Sequence, residues 1–516
     1  MRKLYVAAGT LLLLACQDPT QPDPVKTSAN MASSEAKRWV VVFNQKNDLP
    51  RDVERTIADA GGTIAVRLPQ IGALRATSND PAFAAKVAAN PQVNAVSEDI
   101  EVQMIPDLAT LAAADDPTDP RGPAEPAGID PQLMPDPLGT QQWDKMRMNA
   151  TLQGSYPIQP GRRAVVVAIL DTGIDVLPTP HIDLVPNLDA ARSRSFVTAA
   201  GTALATGDPN PAAWDDKNGH GSWCASAVAA PINGVGISGV APNVTLVALK
   251  VLGDAGSGSF FALAQALVYA GENRFDVASM SLGGILRHAN GGQALVKILQ
   301  RSVEFARSNG VMPIASLGNN NYDISDGRFF TDFIVAPAEI PGVVGVAATG
   351  YYNQKAHYSN YGVGKSDISA PGGATRNYDG VPGSGAAPGY SGLGRVLGAW
   401  AREGFGGPFP PQREEQCTGP GGTPPCSYWA WVQGTSMAAP NAAGVAALII
   451  SQLGDPSPTH VEAVMQQTAN NQPCPEPRTV IAGVGFVLAT ATCSGDAGYN
   501  NFFGKGIVDA LKAVTQ

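Results

Sequence analysis

Histidine and positive charge are both scarce in this chain. Five of its 516 residues are histidine, charged residues make up 15% of the chain, and the formal net charge is -9. No run of lysine or arginine occurs, so the composition argues against a nucleic acid as the natural partner. No stretch, the apolar run of residues 4–14 included, is predicted from its length and composition to be a transmembrane helix.

Glycine, proline and apolar residues are plentiful instead. The chain holds 57 glycines and 42 prolines, which predict many tight turns and long loops. Hydrophobic residues make up 44% of the chain, which is typical of a folded protein with a buried core. Because 516 residues exceed one typical domain, we expect a large core and a smaller module.

The N-terminus has the features of an export signal. Arg2 and Lys3 precede an apolar run over residues 4–14, which is too short to span a bilayer. The run ends in Leu-Leu-Ala-Cys, which resembles a bacterial lipobox, where cleavage leaves a lipid-modified cysteine at the new N-terminus. We therefore predict a signal peptide over 1–15 and lipidation of Cys16. An ordinary signal peptide with an incidental cysteine is the alternative.

The remaining cysteines are odd in number, so at least one of them is unpaired. Export makes disulfides possible. Cys417 and Cys426 flank a short Gly/Pro turn, and Cys474 and Cys493 flank another irregular stretch. We predict these two local disulfides, with Cys224 as a free, buried thiol.

The pattern along the chain predicts two folded units. Residues 16–35 form a flexible tether, and 36–104 follow a β-α-β-β-α-β order, which predicts a small ferredoxin-like α+β domain. Residues 105–140, rich in Pro, Asp and Ala, predict an exposed linker with a processing site. From 141 to 516, apolar strands alternate with helices, which predicts a doubly wound, mainly parallel α/β sheet covered on both faces. Within that domain, 374–430 is predicted to be a loop-rich insertion.

Three segments carry candidate chemistry, and each also has a common structural interpretation. Asp171 ends an apolar strand, where the carboxyl ends of a parallel sheet line a crevice; a simple turn residue is the alternative. Ser436 lies in the first turn of a small-residue helix, where unpaired N–H groups favour a developing oxyanion; an N-cap serine is the alternative. Asn319 ends another strand and could donate to that oxyanion, although a turn asparagine is common.

His220 completes this set. A serine nucleophile needs a base within hydrogen-bond reach, and the base needs a carboxylate to hold its tautomer. A zinc site needs three or four ligands, and no second Cys/His pair has suitable spacing, so a catalytic base is favoured over a metal ligand.

With these residues together, the chain resembles the subtilisin-like serine peptidases, peptidase family S8. Cys224 and the segment SNYG (359–362) are similar to the proteinase K branch, and residues 36–104 are similar to the family's inhibitory propeptide of the inhibitor I9 type. The matching motifs are DTGID at 171–175, GHGSWCA at 219–225, SLGG at 281–284, LGN at 317–319, GTSMAAP at 434–440 and FGKGIVDA at 503–510.

The resemblance implies a role for each matched residue. Ser436 is the nucleophile, His220 the general base, Asp171 the residue that orients it, and Asn319 the oxyanion donor. The implied substrate-binding residues are Ser281, Leu282, Gly283, Gly256, Ser257, Gly258 and Phe260. Asp183 and Asn233 correspond to calcium ligands, although Ile232 stands where an asparagine is usual. The resemblance therefore implies a structural calcium ion and no cofactor for the chemistry.

The function that follows is an exported serine endopeptidase, made as a self-inhibited zymogen and acting through an acyl-enzyme on polypeptide substrates. Its partner is its own propeptide, which acts as inhibitor and folding chaperone, and we expect a monomer. The membrane is reached only through the lipidated N-terminus, and the mature peptidase is expected to be extracellular or periplasmic. A catalytically inactive envelope-binding protein of the same fold is the alternative. An esterase is disfavoured because no Gly-x-Ser-x-Gly elbow occurs.

Overall fold

The structure is a computed structural model of the chain. It describes residues 36–104, 131–197, 212–287, 291–375, 394–402, 413–484 and 487–516. The predicted signal peptide 1–15, the lipidation site Cys16, the tether 16–35 and most of the predicted linker therefore lie outside the described residues.

Residues 36–98 form a four-stranded antiparallel sheet with two short helices on one face. The strands are β1 Lys37–Phe43, β2 Thr63–Leu68, β3 Ala73–Ser78 and β4 Val93–Glu98, and the helices are α1 Val53–Asp59 and α2 Phe83–Ala88. The order in the sheet is β2-β3-β1-β4, the ferredoxin-like arrangement predicted from the sequence. Alternate residues of β1 point to opposite faces: Val41 and Phe43 contact the two helices, while Val40 and Val42 face the larger unit.

A short strand, β5 Val102–Gln103, follows the small sheet in the chain. The larger unit contains the remaining strands and α-helices of the described ranges. Its strands are β6 Val166–Asp171, β7 Arg194–Ser195, β8 Thr245–Lys250, β9 Ser257–Gly258, β10 Val277–Met280, β11 Gly284–Arg287, β12 Met312–Ser316, β13 Phe333–Ala336, β14 Val344–Thr349, β15 Ile368–Pro371, β16 Val396–Trp400, β17 Arg413–Gly419, β18 Thr423–Val432, β19 Thr479–Val484 and β20 Val487–Thr492. Its helices are α3 Trp143–Arg147, α4 His220–Ala229, α5 Phe260–Glu272, α6 Gln293–Ser308, α7 Thr435–Leu453, α8 Pro458–Thr468 and α9 Ala510–Val514.

Seven parallel strands form the central sheet, in the order β15-β14-β12-β10-β6-β8-β7. Helices cover both of its faces. Along β6, Val167 and Ile169 pack in the core that contains α4 and α7, whereas Ala168 and Leu170 pack in the core that contains α5 and α6. The α/β fold class predicted from the sequence is confirmed.

The strand order brings the carboxyl ends of three strands together. The strand β6 has β8 on one side and β10 on the other, so the chain reverses its direction of travel across the sheet at β6. In open α/β sheets a crevice forms at such a point, outside the carboxyl ends of the strands. Asp171 is the last residue of β6, and Ser281 follows the last residue of β10.

Two predictions about loops are wrong. Within the supposed loop-rich insertion 374–430, the strands β16, β18 and β17 form an antiparallel sheet. Within the supposed linker, residues 131–140 pack on the larger unit, and Met134 and Leu138 are buried there.

One helix of the described residues has the length and apolar composition of a membrane span. This helix, α7, is almost entirely buried inside the protein, as the core helix of a folded domain is.

The small sheet packs on helices α5 and α6 through a few specific contacts. The guanidinium of Arg301 donates to the backbone oxygens of Phe43 and Ile71 at 2.8 and 2.9 Å. The hydroxyl of Ser97 accepts from the Ala294 N–H at 3.0 Å. These contacts hold the small unit in one orientation, with its C-terminal strand directed toward the crevice of the sheet.

Candidate active site

The centre of the crevice is a buried pair, Asp171 and His220. The imidazole Nδ1 lies 2.8 Å from Oδ1 of Asp171, and both side chains are almost completely buried. Burial alone lowers the pKa of His220, but the adjacent Asp171 carboxylate stabilises the imidazolium, and the pKa is raised well above its usual value. An imidazole held this way is oriented by the carboxylate and has Nε2 available for a proton.

The glycines on either side of His220 allow this close approach. A Cβ at Gly221 would lie 2.2 Å from the backbone oxygen of Gly173, so no side chain fits between the start of α4 and the end of β6. Gly219 has a φ of 106° and passes over the Trp400 ring, where a Cβ would be 2.3 Å from a ring carbon. The two glycines therefore let the imidazole reach Asp171.

Asp216, which no sequence motif marks as functional, holds this turn in place. One carboxylate oxygen accepts hydrogen bonds from the N–H groups of Asn218 and Gly219 and from the Thr172 hydroxyl. The other accepts from the N–H and the hydroxyl of Ser222. Asp216 thus ties the residue after Asp171 to the residues around His220.

Ser436 lies in the first turn of α7 and is buried. Its hydroxyl donates to the backbone oxygen of Ser281 at 3.2 Å. Among the described residues no hydrogen bond joins Ser436 to His220, but Cys224 touches both. The Cys224 sulfur is 3.9 Å from Nδ1 of His220 and 3.6 Å from the backbone oxygen of Ser436.

Thr435 orients the side chain of Asn319 through two hydrogen bonds. The side-chain oxygen of Asn319 accepts from both the N–H and the hydroxyl of Thr435 at 2.8 Å, so the Nδ2 group is directed away from Thr435. A Cβ placed on Gly434 would lie 3.6 Å from Asn319 Nδ2 and 3.6 Å from the Ser436 backbone nitrogen. The two donors therefore border one common space, which Gly434 leaves open.

The residues predicted to bind substrate line a groove that the chain's own residues 101–104 occupy. Strand β5 pairs antiparallel with β9, with Val102 opposite Gly258 and Gln103 opposite Ser257. On the opposite side, the Gly283 N–H donates to the backbone oxygen of Met104 at 2.8 Å. The segment is thus an added strand between the two predicted walls of the groove.

Further contacts fix this segment. The Met104 N–H donates to the Gly256 oxygen at 3.3 Å. The Val102 side chain is fully buried, and a Cβ at Gly284 would lie 3.3 Å from the Phe260 ring and 3.9 Å from Val102. Phe260 and Val102 therefore border one apolar depression. Leu282, also predicted to contact substrate, is buried beneath the groove.

The residues predicted to bind calcium are arranged differently from a cation site. Oδ2 of Asp183 accepts N–H hydrogen bonds from Ile237 at 2.9 Å and from the Trp429 indole at 2.8 Å. The Asn233 Nδ2 lies 3.5 Å from the other oxygen. Burial raises the pKa of Asp183 to about 8, more than these donors lower it. Calcium requires several converging oxygens, so this donor set does not fit the ion.

The structure contains both predicted disulfides and the predicted free thiol. Disulfides join Cys417 to Cys426 and Cys474 to Cys493, and Cys224 is a free, buried cysteine. The ligand atoms of Asp171, His220 and Cys224 all lie within 4.8 Å of one another, which is close enough for a metal ion. The hydrogen bond to Asp171 already uses Nδ1 of His220, however, and this favours the base over the metal ligand.

A doubly wound sheet with an Asp–His pair and a serine at the start of a buried helix defines a subtilisin-like protein. Residues 162–506 match the sequence profile Peptidase_S8, the Subtilase family. Because this match covers more than half of the chain, the chain belongs to the subtilase family.

Several bacterial proteases are similar in sequence. M-protease of Shouchella clausii (strain KSM-K16) is 33% identical over 285 residues, which are 55% of this chain and 53% of that protein. Subtilisin NAT of Bacillus subtilis subsp. natto is 30% identical over 349 residues, 68% of this chain and 65% of that protein. The chain spans between about half and two thirds of the length of these relatives.

Solved structures show the same fold. The epidermin leader peptide processing serine protease of Staphylococcus aureus superimposes with a TM-score of 0.67, covering 93% of this chain and 98% of that one, at 18% identity. A protease of Pseudoalteromonas arctica PAMC 21717 gives a TM-score of 0.52 at 28% identity, covering 74% of this chain and 98% of that one. At 18% identity the first likeness concerns the fold alone.

Proposed function

We propose that this chain is a serine endopeptidase that hydrolyses peptide bonds through an acyl-enzyme. The observation that carries the proposal is the 2.8 Å hydrogen bond between His220 and Asp171, buried beside the start of the helix that carries Ser436. A buried carboxylate that orients an imidazole beside a serine is the arrangement that activates a hydroxyl for attack.

In the first half-reaction, the Ser436 oxygen attacks the carbonyl carbon of the scissile peptide. For this its hydroxyl turns from the Ser281 oxygen to Nε2 of His220, which accepts the proton while Asp171 stabilises the imidazolium. The negative charge that develops on the carbonyl oxygen is met by Asn319 Nδ2 and the Ser436 N–H, the two donors that border the open space beside Gly434. His220 then gives its proton to the leaving amine, and the peptide bond breaks.

In the second half-reaction, His220 removes a proton from a water molecule, which attacks the acyl carbon. The same donors stabilise the second oxyanion, and the proton returns to the Ser436 oxygen as the ester bond breaks. No metal or organic cofactor is part of this sequence of steps.

We propose that the chain is made as a self-inhibited zymogen, with residues 36–104 as the inhibitory unit. Two contacts support this: the antiparallel pairing of β5 with β9 and the hydrogen bond from Gly283 to Met104. An extended peptide that adds a strand to a groove is a common mode of peptide recognition. A substrate must displace residues 101–104 before it can bind.

The same contacts indicate what the groove accepts. The depression bordered by Phe260 holds the fully buried Val102, so an apolar side chain is expected at the corresponding substrate position. The backbone pairing with Ser257 and Gly258 places no demand on the other side chains. We therefore propose extended polypeptide substrates with an apolar residue at that position.

Export and maturation complete the proposal. A lipidated Cys16 would anchor the precursor in a bacterial envelope, and a cut between residue 104 and the folded residues from 131 would leave the anchor on the inhibitory unit. The mature enzyme is then soluble, as a monomer, in the periplasm or outside the cell. Membrane fractionation after processing tests this, and lipid retained on the catalytic fragment would reject it.

A fluorophosphonate probe that reacts with activated serines tests the enzyme itself. The processed wild type is expected to be labelled at Ser436 and to cleave denatured casein, while S436A is expected to do neither and to remain full-length. A processed, folded wild type without labelling would end the enzyme proposal and would favour an inactive envelope-binding protein.

A further inference from the structure

Asn360 lies behind the loop that carries Asn319, and its side chain is bonded to that loop on both sides. Its Oδ1 accepts hydrogen bonds from the N–H groups of Asn320 and Tyr322, both at 3.0 Å. Its Nδ2 donates to the backbone oxygen of Leu317 at 3.0 Å. One side chain thus joins the residues before and after Asn319.

The backbone of Asn360 adds a further bond to the same loop. Its N–H donates to the Gly318 oxygen at 2.9 Å. Gly318 has a φ of 102°, and a Cβ there would lie 2.5 Å from Asn360 Nδ2. Glycine at 318 is therefore required for Asn360 to pack against the loop, and Asn360 itself is almost completely buried.

Asn319 itself is held from the other side by Thr435. The Thr435 hydroxyl accepts from the Gly318 N–H at 3.1 Å and donates to the Asn319 oxygen at 2.8 Å. The loop is therefore fixed between two groups. Thr435 orients the amide of Asn319, and Asn360 holds the backbone from which that amide projects.

We propose that Asn360 is a positioning residue for the oxyanion donor Asn319. This inference rests on the proposed peptidase function. A donor stabilises the transition state only when it is placed beforehand where the charge will develop, and a misplacement of about 1 Å can cost 10²-fold in rate. Without Asn360, two N–H groups and one backbone oxygen of the loop lose their partners. The loop can then relax, and Asn319 Nδ2 moves with it.

The test compares N360A, N319A and the double variant N319A/N360A with the wild type, using kcat and KM for a peptide amide substrate. N319A is expected to lower kcat by about 10²–10³-fold, the loss known for the corresponding change in subtilisin itself. N360A is expected to lower kcat by roughly 10-fold or more with KM changed less than about threefold. The double variant is expected to match N319A.

A structural role without positioning predicts other results. If N360A lowers only the melting temperature, or lowers kcat by the same factor with and without Asn319, the proposal is overturned. If N360A does not fold, N360D is the second variant. It keeps the acceptor oxygen for both N–H groups but places an oxygen against the Leu317 oxygen in place of the donor, so kcat is expected to fall part of the way toward that of N319A with KM nearly unchanged. A folded N360D protein with the kcat of the wild type would also overturn the proposal.

S359A is the matched control. The neighbouring Ser359 is equally buried. Its hydroxyl accepts from Ala348 N at 3.0 Å, on strand β14, and donates to the backbone oxygen of Asn360 at 3.0 Å, but S359A leaves the Asn360 side chain and its bonds to the loop of Asn319 in place. S359A is expected to lower stability while kcat stays within about twofold of the wild type. The wild type and S436A measured beside it separate the two proposals, because an inactive wild type counts against the peptidase and not against Asn360.

Discussion

Cys224 lies directly beneath His220, with its sulfur 3.9 Å from Nδ1 of the imidazole. Burial raises the pKa of the thiol above its usual value, so the neutral thiol is favoured. The sulfur therefore acts as a small apolar group that supports the imidazole from below.

We expect C224A to keep kcat/KM within about threefold of the wild type and to be destabilised by about 1–2 kcal/mol, because the substitution leaves a small cavity. Peptide hydrolysis and thermal melting measure the two effects. A loss of activity as large as that of an Asp171 variant would show that the sulfur takes part in the chemistry, as a metal ligand would.

The pairing of Asp171 with His220 predicts an alkaline pH profile. The general base must be unprotonated, and the neighbouring carboxylate raises its pKa well above the usual value. Activity is therefore expected to rise with pH along a limb centred above about 6.5. The pH dependence of kcat/KM for a small ester or amide checks this, and a limb centred below 6 would contradict it.

D171N tests the Asp171–His220 pair by removing the negative charge of the carboxylate. Asparagine removes the charge that stabilises the imidazolium and favours the wrong tautomer of His220. We expect kcat to fall by roughly 10⁴-fold, as it does for this change in a serine peptidase of another fold. D254N, a change at a partly exposed carboxylate that bonds Lys250, is a control expected to leave kcat unchanged.

The burial of Asp99 predicts that the proposed inhibition by residues 36–104 weakens as the pH rises. Its buried carboxylate lies where the small unit meets α5, 3.7 Å from the Arg75 guanidinium, which itself stacks over Phe261. Burial raises the pKa of Asp99 to about 6, and Arg75, Arg38 and Ser259 lower it by less.

The sign of the effect follows from linkage. Once the units separate, Asp99 is exposed and its pKa returns toward its usual value, so the complex binds the additional proton. The contribution of Asp99 to the stability of the complex is therefore greatest below about pH 4, and it is lost as the pH rises through about 6. Inhibition by the cleaved small unit is expected to be about tenfold weaker at pH 8 than at pH 5.

Two variants separate Asp99 from other acidic groups. D99N carries no charge at any pH and is expected to flatten the pH dependence of the inhibition constant. E98Q changes an exposed carboxylate that pairs with Lys37 at 2.9 Å, and it should keep the slope of the wild type. A D99N protein with an unchanged slope would assign the pH dependence to another group.

The hairpin β17–β18 is expected to stabilise the loop 231–238 without calcium. The Trp429 indole donates to Asp183, and Gln416 accepts from the Gly236 N–H at 3.0 Å. W429F removes one donor to a buried carboxyl group and should lower the free energy of unfolding by about 1–3 kcal/mol. T418A, at an exposed position of the same hairpin, should change the free energy of unfolding little. Chemical denaturation measures both variants.

Calcium itself gives a separate measurement. Because Asp183 and Asn233 do not form a calcium site here, any rise in melting temperature on adding calcium to an EDTA-treated sample is expected to be equal in the wild type and N233A. A calcium effect that disappears in N233A would restore the assignment of calcium to these residues.

The candidate catalytic residues could be singled out from the sequence because each lies in a short motif at the end of a strand or the start of a helix. The strand Val166–Asp171 and the glycines around His220 are visible as local patterns. The roles of Asp216 and Asn360 were not found, since both act through hydrogen bonds that no motif marks. Asp216 accepts from the turn that follows it and from the distant Thr172 hydroxyl. Asn360 bonds a loop about 40 residues earlier in the chain. Nothing in the sequence distinguishes Asp216 from the adjacent Asp215, and only the folded chain shows which carboxylate lies beneath the turn.

The hairpin was missed for a related reason. Its glycines and prolines predict loops, although aromatic residues stand at positions 428, 429 and 431. In the fold, β18 is paired with a neighbour on each side, and the Cys417–Cys426 disulfide closes its turn. Long-range pairing, which a local reading of composition omits, stabilises these strands.

The placement of residues 101–104 in the groove has a consequence for latency. If residues 36–104 inhibit as proposed, their encounter with the groove is intramolecular while the chain is continuous, so dilution does not expose the groove. Once the chain is cut, the encounter becomes bimolecular, and the active fraction depends on the concentration of the two parts. Under this proposal a crowded compartment favours the inhibited complex, and release into a large volume would itself activate the enzyme.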